Sequence, residues 1–301
     1  MKTIVSLTNV TKTFKDKKAV DDVTFSINKG EVVAILGPNG AGKTTAISMM
    51  LGLLEPSSGK AELFGSNPRD KKVRERIGAM LQEVSVIDAL KVREVISLFR
   101  SYYLHPLTQQ ELTELTGLSD QELNMRAEKL SGGQKRRLSF ALALAGDPDL
   151  LFFDEPTVGM DTMSRKLFWN TVKLLKERGK TIIFTTHYLQ EAEDAAERII
   201  LFHKGAIAAD GTQAEIKERL TKQSVSFKAE TKLSLEKLHQ LPDVTNIYRQ
   251  NARVFVVANN TDRVLAALFE NDLKVRDIEI HRGRLDEAFE QLTEEMKEVN
   301  S

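Results

Sequence analysis

The stretch Gly37-Pro38-Asn39-Gly40-Ala41-Gly42-Lys43-Thr44-Thr45 constrains the fold most, because it fits the phosphate-binding pattern G-x-x-x-x-G-K-[ST] and carries one further threonine. Such a loop works only between a strand and a helix. The apolar run 32–36 before it and the amphipathic stretch 46–51 after it supply both, so an α/β core is expected around this turn. There the glycines let successive backbone N–H groups converge on anionic oxygens, and the new helix adds its positive N-terminal end. Lys43 can then reach terminal phosphates, and the Thr44 hydroxyl can ligate Mg²⁺.

Further along, Leu150-Leu151-Phe152-Phe153 is a continuous apolar run of the kind buried on both faces of a sheet, and it ends in Asp154-Glu155-Pro156. Acids at the carboxyl end of a parallel strand sit where α/β folds bind ligands. Asp154 can hold Mg²⁺ and Glu155 can accept a proton from an attacking water, although such acids also serve as plain turn residues. The apolar strand 181–186 ends in His187, which is either structural or in reach of a phosphate. Period-two runs between residues 4 and 27 predict a small antiparallel sheet ahead of the loop. Phe14, on its lysine-rich turn, either stacks on an adenine face or packs under a loop.

A short apolar run at 77–81 ends at Gln82. From Val92 to about Ala145 the pattern is helical, with Val92, Val95, Ile96 and Phe99 on one stripe and Leu112, Leu115 and Leu118 on another. Within it, Leu130-Ser131-Gly132-Gly133-Gln134 precedes a helix-forming run. Ser131 is a good N-cap and the two glycines expose backbone N–H groups, which suits either a second anion site without its own lysine or an ordinary capped helix. Val158-Gly159-Met160-Asp161 turns the chain into a helix around Trp169, and Lys204-Gly205 joins two further strands.

At 301 residues the chain accommodates one large domain and a small one, and 41% hydrophobic content supports a core. Basic and acidic residues both number 43, so no global charge drives binding to nucleic acid. The clusters at 15–18 and 69–76 read as solvated surface. The absence of cysteine excludes disulfides and thiolate metal sites and fits a reducing compartment. No stretch approaches 18 consecutive apolar residues, and Met1 to Val5 opens a strand rather than a signal peptide, so a membrane role requires a separate partner.

The motifs at 37–45, 130–134 and 150–155, in that order, resemble the Walker A, signature and Walker B elements of the ATP-binding subunit of ABC transporters. The resemblance implies a P-loop NTPase fold with an antiparallel β subdomain and a helical subdomain at about 85–145, inside an ATP-binding domain spanning 1–219. It implies that two copies sandwich two ATP molecules, the signature of one completing the site of the other. Phe14 would stack on adenine, with Val20 among the nucleotide-binding positions, and Gly37, Pro38, Asn39, Gly40, Ala41, Gly42, Lys43 and Thr45 would hold the phosphates. Thr44, Gln82 and Asp154 would bind Mg²⁺, while Ser131, Gly132, Gly133 and Gln134 would contact the other copy's nucleotide. Asp161 would lie on the loop crossing the dimer interface. Glu155 would be the general base and His187 the switch on the γ-phosphate, with Lys43 and with Gln82, which couples to the membrane partner. Three positions depart from the family's habit: Phe14 where Tyr is commoner, Lys91 where Thr is frequent, and Thr162 where Pro is common. None touches the catalytic set, so both sites of a homodimer are expected to be competent.

Residues 220–301 restart with strands at 224–227, 244–248, 254–257 and 275–280 and helices at 235–241 and 264–269, the β-α-β-β-α-β order of a ferredoxin-like α+β domain. A terminal helix carrying Leu285, Ala288, Phe289 and Leu292 would cover it. This tail resembles the appended domain of ATPases serving ABC-2 type exporters of drugs and antibiotics, and reads as a dimerisation or regulatory module or as a stabilising one. The implied function is an ATPase that energises export of a small molecule through a separate integral-membrane permease, from the cytoplasmic face. A non-transport ATPase acting on ribosomes or DNA is the alternative, but a single cassette, no sustained heptads and balanced charge speak against it. An inactive nucleotide-binding regulator is opposed by the presence of Lys43, Asp154, Glu155 and His187.

Overall fold

The computed structural model describes residues 2–82, 87, 89–220, 223–229, 238, 239, 241, 243–250, 253–271, 273 and 275–281. By its contacts the chain divides into two units, Met1–Asp210 and Gly211–Ser301. In the first, alternating apolar residues pair β1 (Thr3–Phe14) antiparallel with β2 (Lys17–Asn28), and β4 (Ser58–Leu63) closes the other edge to give the order β2-β1-β4.

The continuous apolar runs form the second sheet. Its order is β5-β6-β7-β3-β8-β9, with β3 (Val32–Leu36), β5 (Ile77–Met80), β6 (Leu150–Asp154), β7 (Thr181–Thr185), β8 (Arg198–His203) and β9 (Ala206–Gly211). β3, β6 and β7 are buried at every residue, as strands covered on both faces must be. The β5-β6-β7-β3-β8 pairings are parallel, so the strands deliver their carboxyl ends to one edge. Helix α1 (Lys43–Met50) leaves β3 there, and α2 (Lys71–Arg74) precedes β5.

The helical segment comprises α3 (Val92–Arg100), α4 (Gln109–Thr116), α5 (Asp120–Asn124) and α6 (Gly132–Leu144). Both predicted stripes face inward: Val92, Val95, Ile96, Leu112, Leu115 and Leu118 are buried. The expected start of this segment at residue 85 lies outside the described residues. Lys91 cannot accept a hydrogen bond as a threonine would, and the Glu94 carboxylate instead accepts from the Lys91 backbone N–H at 2.8 Å. Helix α6 reaches the core sheet through Phe140, whose ring meets those of Phe153 at 5.5 Å and Phe168 at 4.6 Å. It also lies against β5 so closely that a Cβ on Gly78 would overlap the Ala143 carbonyl oxygen.

Helices α7 (Thr162–Glu177) and α8 (Leu189–Ala195) complete the unit. The 69–76 cluster is exposed, yet it differs from plain solvated surface in being bonded to the fold. Arg69 pairs with Glu55 and donates to the Gly52 carbonyl at 3.1 Å, and Arg76 pairs with Asp149 at 2.7 Å while its guanidinium lies 3.7 Å over the Phe64 ring.

The second unit holds α9 (Gln213–Leu220), β10 (Gln223–Ala229), β11 (Val244–Gln250), β12 (Arg253–Ala258), α10 (Thr261–Glu270) and β13 (Val275–His281). Its strands pair antiparallel in the order β11-β12-β10-β13 over a core of Val225, Phe227, Val254, Val256, Val264 and Leu268. Most of the expected helix at 235–241, and all of the terminal helix with Leu285, Ala288, Phe289 and Leu292, lie outside the described residues. Among the described residues no helix is long and apolar enough to cross a membrane.

Candidate active site

Strand β3 ends where the glycine-rich loop begins, and the loop closes on the first turn of α1. Gly42 caps that helix with φ of 105°, and a Cβ on it would overlap the Ala19 carbonyl oxygen. Both the left-handed backbone and the close approach demand glycine here. Lys43 is 7% exposed and folds back across the loop, donating from Nζ to the carbonyls of Gly37 at 2.7 Å and Pro38 at 3.2 Å. Burial holds its ammonium below the ordinary lysine range, against the pull of the Glu155 and Asp154 carboxylates.

A cavity of about 510 Å³ opens beside the loop, lined by Phe14, Lys17, Ala19, Asn39, Gly40, Ala41, Gly42, Lys43, Thr44, Thr45, Gln82 and Glu155. That is the size of a small-molecule site. Phe14 is 49% exposed at the end of β1, so it is not a core residue; its ring is presented to the cavity with Lys12 Nζ 5.3 Å from the ring centroid. Val20, expected at the nucleotide, is fully buried against Gly42 of the loop, and Ala19 lines the wall. Consecutive strand residues point to opposite faces, so only one of the two can face the cavity. Lys17 belongs to a cluster that reads as solvated surface, yet it lines the cavity.

The acids stand at the end of β6. Thr185 on β7 donates from Oγ1 to Asp154 Oδ1 at 2.5 Å and accepts from the Glu155 backbone N–H at 2.9 Å, fixing both residues. Glu155 adopts φ of 51°, a left-handed conformation that a non-glycine residue keeps only when its surroundings enforce it. Its Oε2 accepts from His187 Nδ1 at 2.7 Å. A carboxylate acceptor places a proton on Nδ1, which leaves Nε2 as the ring nitrogen not engaged by Glu155. His187 and Asp154 do not line the cavity; they reach it through Glu155 and its backbone.

The remaining predicted residues form a separate patch. Ser131 caps α6, its Oγ accepting from the Gln134 N–H at 3.3 Å while Gln134 Oε1 accepts from the Ser131 N–H at 2.8 Å. A Cβ on Gly132 would meet nothing within 4 Å. Asp161 caps α7, accepting from the Ser164 N–H at 2.9 Å and Oγ at 2.7 Å, and these bonds hold its carboxyl below the usual aspartate range. Thr162 takes the first helical position, where proline is favoured because no N–H bond is lost. None of these residues lines the cavity of its own chain.

Arg136, inside a Lys-Arg-Arg run that suggests surface, is 7% exposed and donates to the Leu81 carbonyl at 3.1 Å, next to Gln82. Burial lowers its pKa, opposed by Asp154 and Glu155. The run's spacing gives one clue: position 136 falls on the same α6 face as the buried Phe140, four residues on.

Comparison with known proteins bears on this geometry. Residues 20–158 match the family described as ABC transporter. The Nod factor export ATP-binding protein I of Burkholderia lata is 39% identical over 215 residues, covering 69% of this chain and 70% of that protein. The daunorubicin/doxorubicin resistance ATP-binding protein DrrA of Streptomyces peucetius is 33% identical over 304 residues, 96% of this chain and 92% of that protein. Among solved structures, a dimeric bacterial ABC transporter cassette, MJ0796, superposes with a TM-score of 0.64 at 29% identity, covering 69% of this chain and 98% of the cassette. A post-hydrolysis dimer of the same cassette bound to ADP and Pi matches at 30% identity with the same TM-score and coverage.

Proposed function

Because the chain belongs to the family of ABC transporter ATP-binding proteins, an ATP-hydrolysing cassette, we propose that it powers export of a small molecule, a drug, an antibiotic or a lipid-like compound, through a separate ABC-2 type membrane permease. The carrying observation is the match to a drug-resistance ATP-binding protein over 96% of the chain, which takes in the C-terminal unit as well as the cassette. The strand order β11-β12-β10-β13 supports reading that unit as a ferredoxin-like accessory module for dimerisation or regulation.

The reaction is phosphoryl transfer to water, in which positioning and charge do most of the work. Phe14 offers an exposed ring for adenine, and Lys43 exchanges the Gly37 and Pro38 carbonyls for phosphate oxygens. Glu155, with Oε2 engaged by His187, has Oε1 left to accept a proton from water. Among the described residues no three His, Cys, Asp or Glu side chains gather as a metal site. Mg²⁺ takes one or two carboxylates and completes its shell with phosphates and water. The Thr44 hydroxyl, Gln82 and Asp154 are hard oxygen donors that fit it; when bound, the ion would neutralise phosphate charge. Ser131 to Gln134 and Asp161, which do not line the cavity of their own chain, are read as the parts given to a second copy, a reading supported by the dimeric state of the matched cassette. The complex would work at the cytoplasmic face of the membrane.

Glu155→Gln tests the assignment. It should retain ATP binding, abolish turnover and run as an ATP-dependent dimer on size exclusion; undiminished hydrolysis removes Glu155 from the base role. Purification from membranes should bring down a polytopic partner, and recovery of ribosomal partners alone would sink the export reading.

A further inference from the structure

The sheet ladder between β6 and β7 ends at the pair Asp154 and Thr185. Glu155 and His187 lie just beyond it, so no strand pairing sets the distance between them, and Glu155 is held in a left-handed conformation besides. Their placement depends on the two turns that follow the strands. One buried side chain is bonded to both turns. Glu191, in the first turn of α8 and 6% exposed, accepts from Thr157 Oγ1 at 2.6 Å and from Thr186 Oγ1 at 2.7 Å.

Thr157 stands two residues after Glu155, and Thr186 stands immediately before His187. Both threonines are 1% exposed. The Thr186 hydroxyl also accepts from the Tyr188 backbone N–H at 3.0 Å, so His187 is bracketed by one three-residue turn. Arg165 of α7 lies 3.7 Å from the same Glu191 carboxylate, which ties in the helix that Asp161 caps. A carboxylate is costly to bury unless its oxygens are bonded, and the bonds that offset that cost here run to the flanks of the Glu155 and His187 pair.

We propose that Glu191 is a positioning residue, a strut that holds Glu155 and His187 at hydrogen-bonding distance and links that pair to the start of α7. The proposal rests on the assignment of Glu155 and His187 to hydrolysis. Misplacement of a reacting group by about 1 Å can cost a hundredfold in rate, so loss of the strut lowers the chemical step and spares nucleotide binding.

The test is a mutant cycle in the full chain, read by single-turnover hydrolysis and by steady-state KM for ATP with Mg²⁺. Glu191→Ala should lower the hydrolysis rate about tenfold or more with KM within about twofold. Glu191→Gln should restore most of the rate, since its carbonyl still accepts one hydroxyl and its amide can donate to the other. The double variant with His187→Ala should lose less than the product of the two single effects, because the strut has then lost one of the two groups it holds together. Where Glu191→Ala does not fold, Thr157→Val and Thr186→Val each remove one bond at nearly constant volume and should show the same rate loss at constant KM. A normal rate in Glu191→Ala beside an impaired His187→Ala, or multiplicative effects in the double variant, overturns the strut. Full activity in His187→Ala alone overturns the underlying site assignment instead.

Discussion

Lys17 and Ala19 line the cavity beside the phosphate loop, and neither stands out in the sequence. A lysine within a cluster at 15–18 is indistinguishable from solvated charge until β1 and β2 pair and turn it toward the loop. Lys17→Ala is expected to raise KM for ATP several-fold with little change in kcat, as loss of uniform binding does, checked by steady-state kinetics. Gly42→Ala faces two obstacles, a left-handed φ and overlap with the Ala19 carbonyl oxygen. Strain of this kind is of order 1–3 kcal/mol, so the variant should melt earlier and lose ATP binding, checked by thermal unfolding and a fluorescent-nucleotide titration. The loop residues were legible because their chemistry is local: the glycines and Lys43 act through their own backbone and reach. Ala19 lines the cavity while Val20 beside it is buried, a strand alternation that motif spacing does not resolve.

The strands of the parallel sheet were readable because burial on both faces leaves an unbroken apolar run, as in 32–36 and 150–153. The pairing of β4 with β1, separated by the phosphate loop and α1, was not, since no local pattern records which edge a strand will join. The polar network at Glu191 was equally hidden, because Gln-Glu-Ala-Glu-Asp reads as a solvated helix face, while packing buries one of its three acids. Asp161 supports α7 through bonds that only its charged form makes fully. Its folded pKa lies below the ordinary value, so this support is fully present above about pH 4 and is lost as pH falls through the folded value. The melting temperature of Asp161→Asn, whose side chain still caps, should therefore fall less steeply on acidification below about pH 4 than that of the native chain.

At the scale of the molecule, the cassette and the C-terminal unit have separate cores, around the P-loop sheet and around Phe227 and Val256. A ligand that binds only the folded cassette stabilises it by mass action, about 2.7 kcal/mol at a hundredfold excess over Kd. ATP with Mg²⁺ should thus raise the melting temperature of Glu155→Gln in proportion to the logarithm of its concentration, and EDTA should remove most of the rise. An unchanged melting temperature after chelation would take Thr44, Gln82 and Asp154 out of the metal site.

Gly78 gives the cassette a fulcrum. Because β5 and α6 touch backbone to backbone at Gly78 and Ala143, and Arg136 fastens the same helix to Leu81, the helix would act as a lever seated on the strand that leads to Gln82. The arm from Ala143 to the glycine pair at 132 and 133 is about 16 Å long at 1.5 Å per residue. A tilt of a few degrees at the seat is magnified at the tip into a shift of the order of an ångström. Gly78→Ala, a single methyl on β5, would therefore be felt at the far end of the lever, where the capped glycines meet whatever they face.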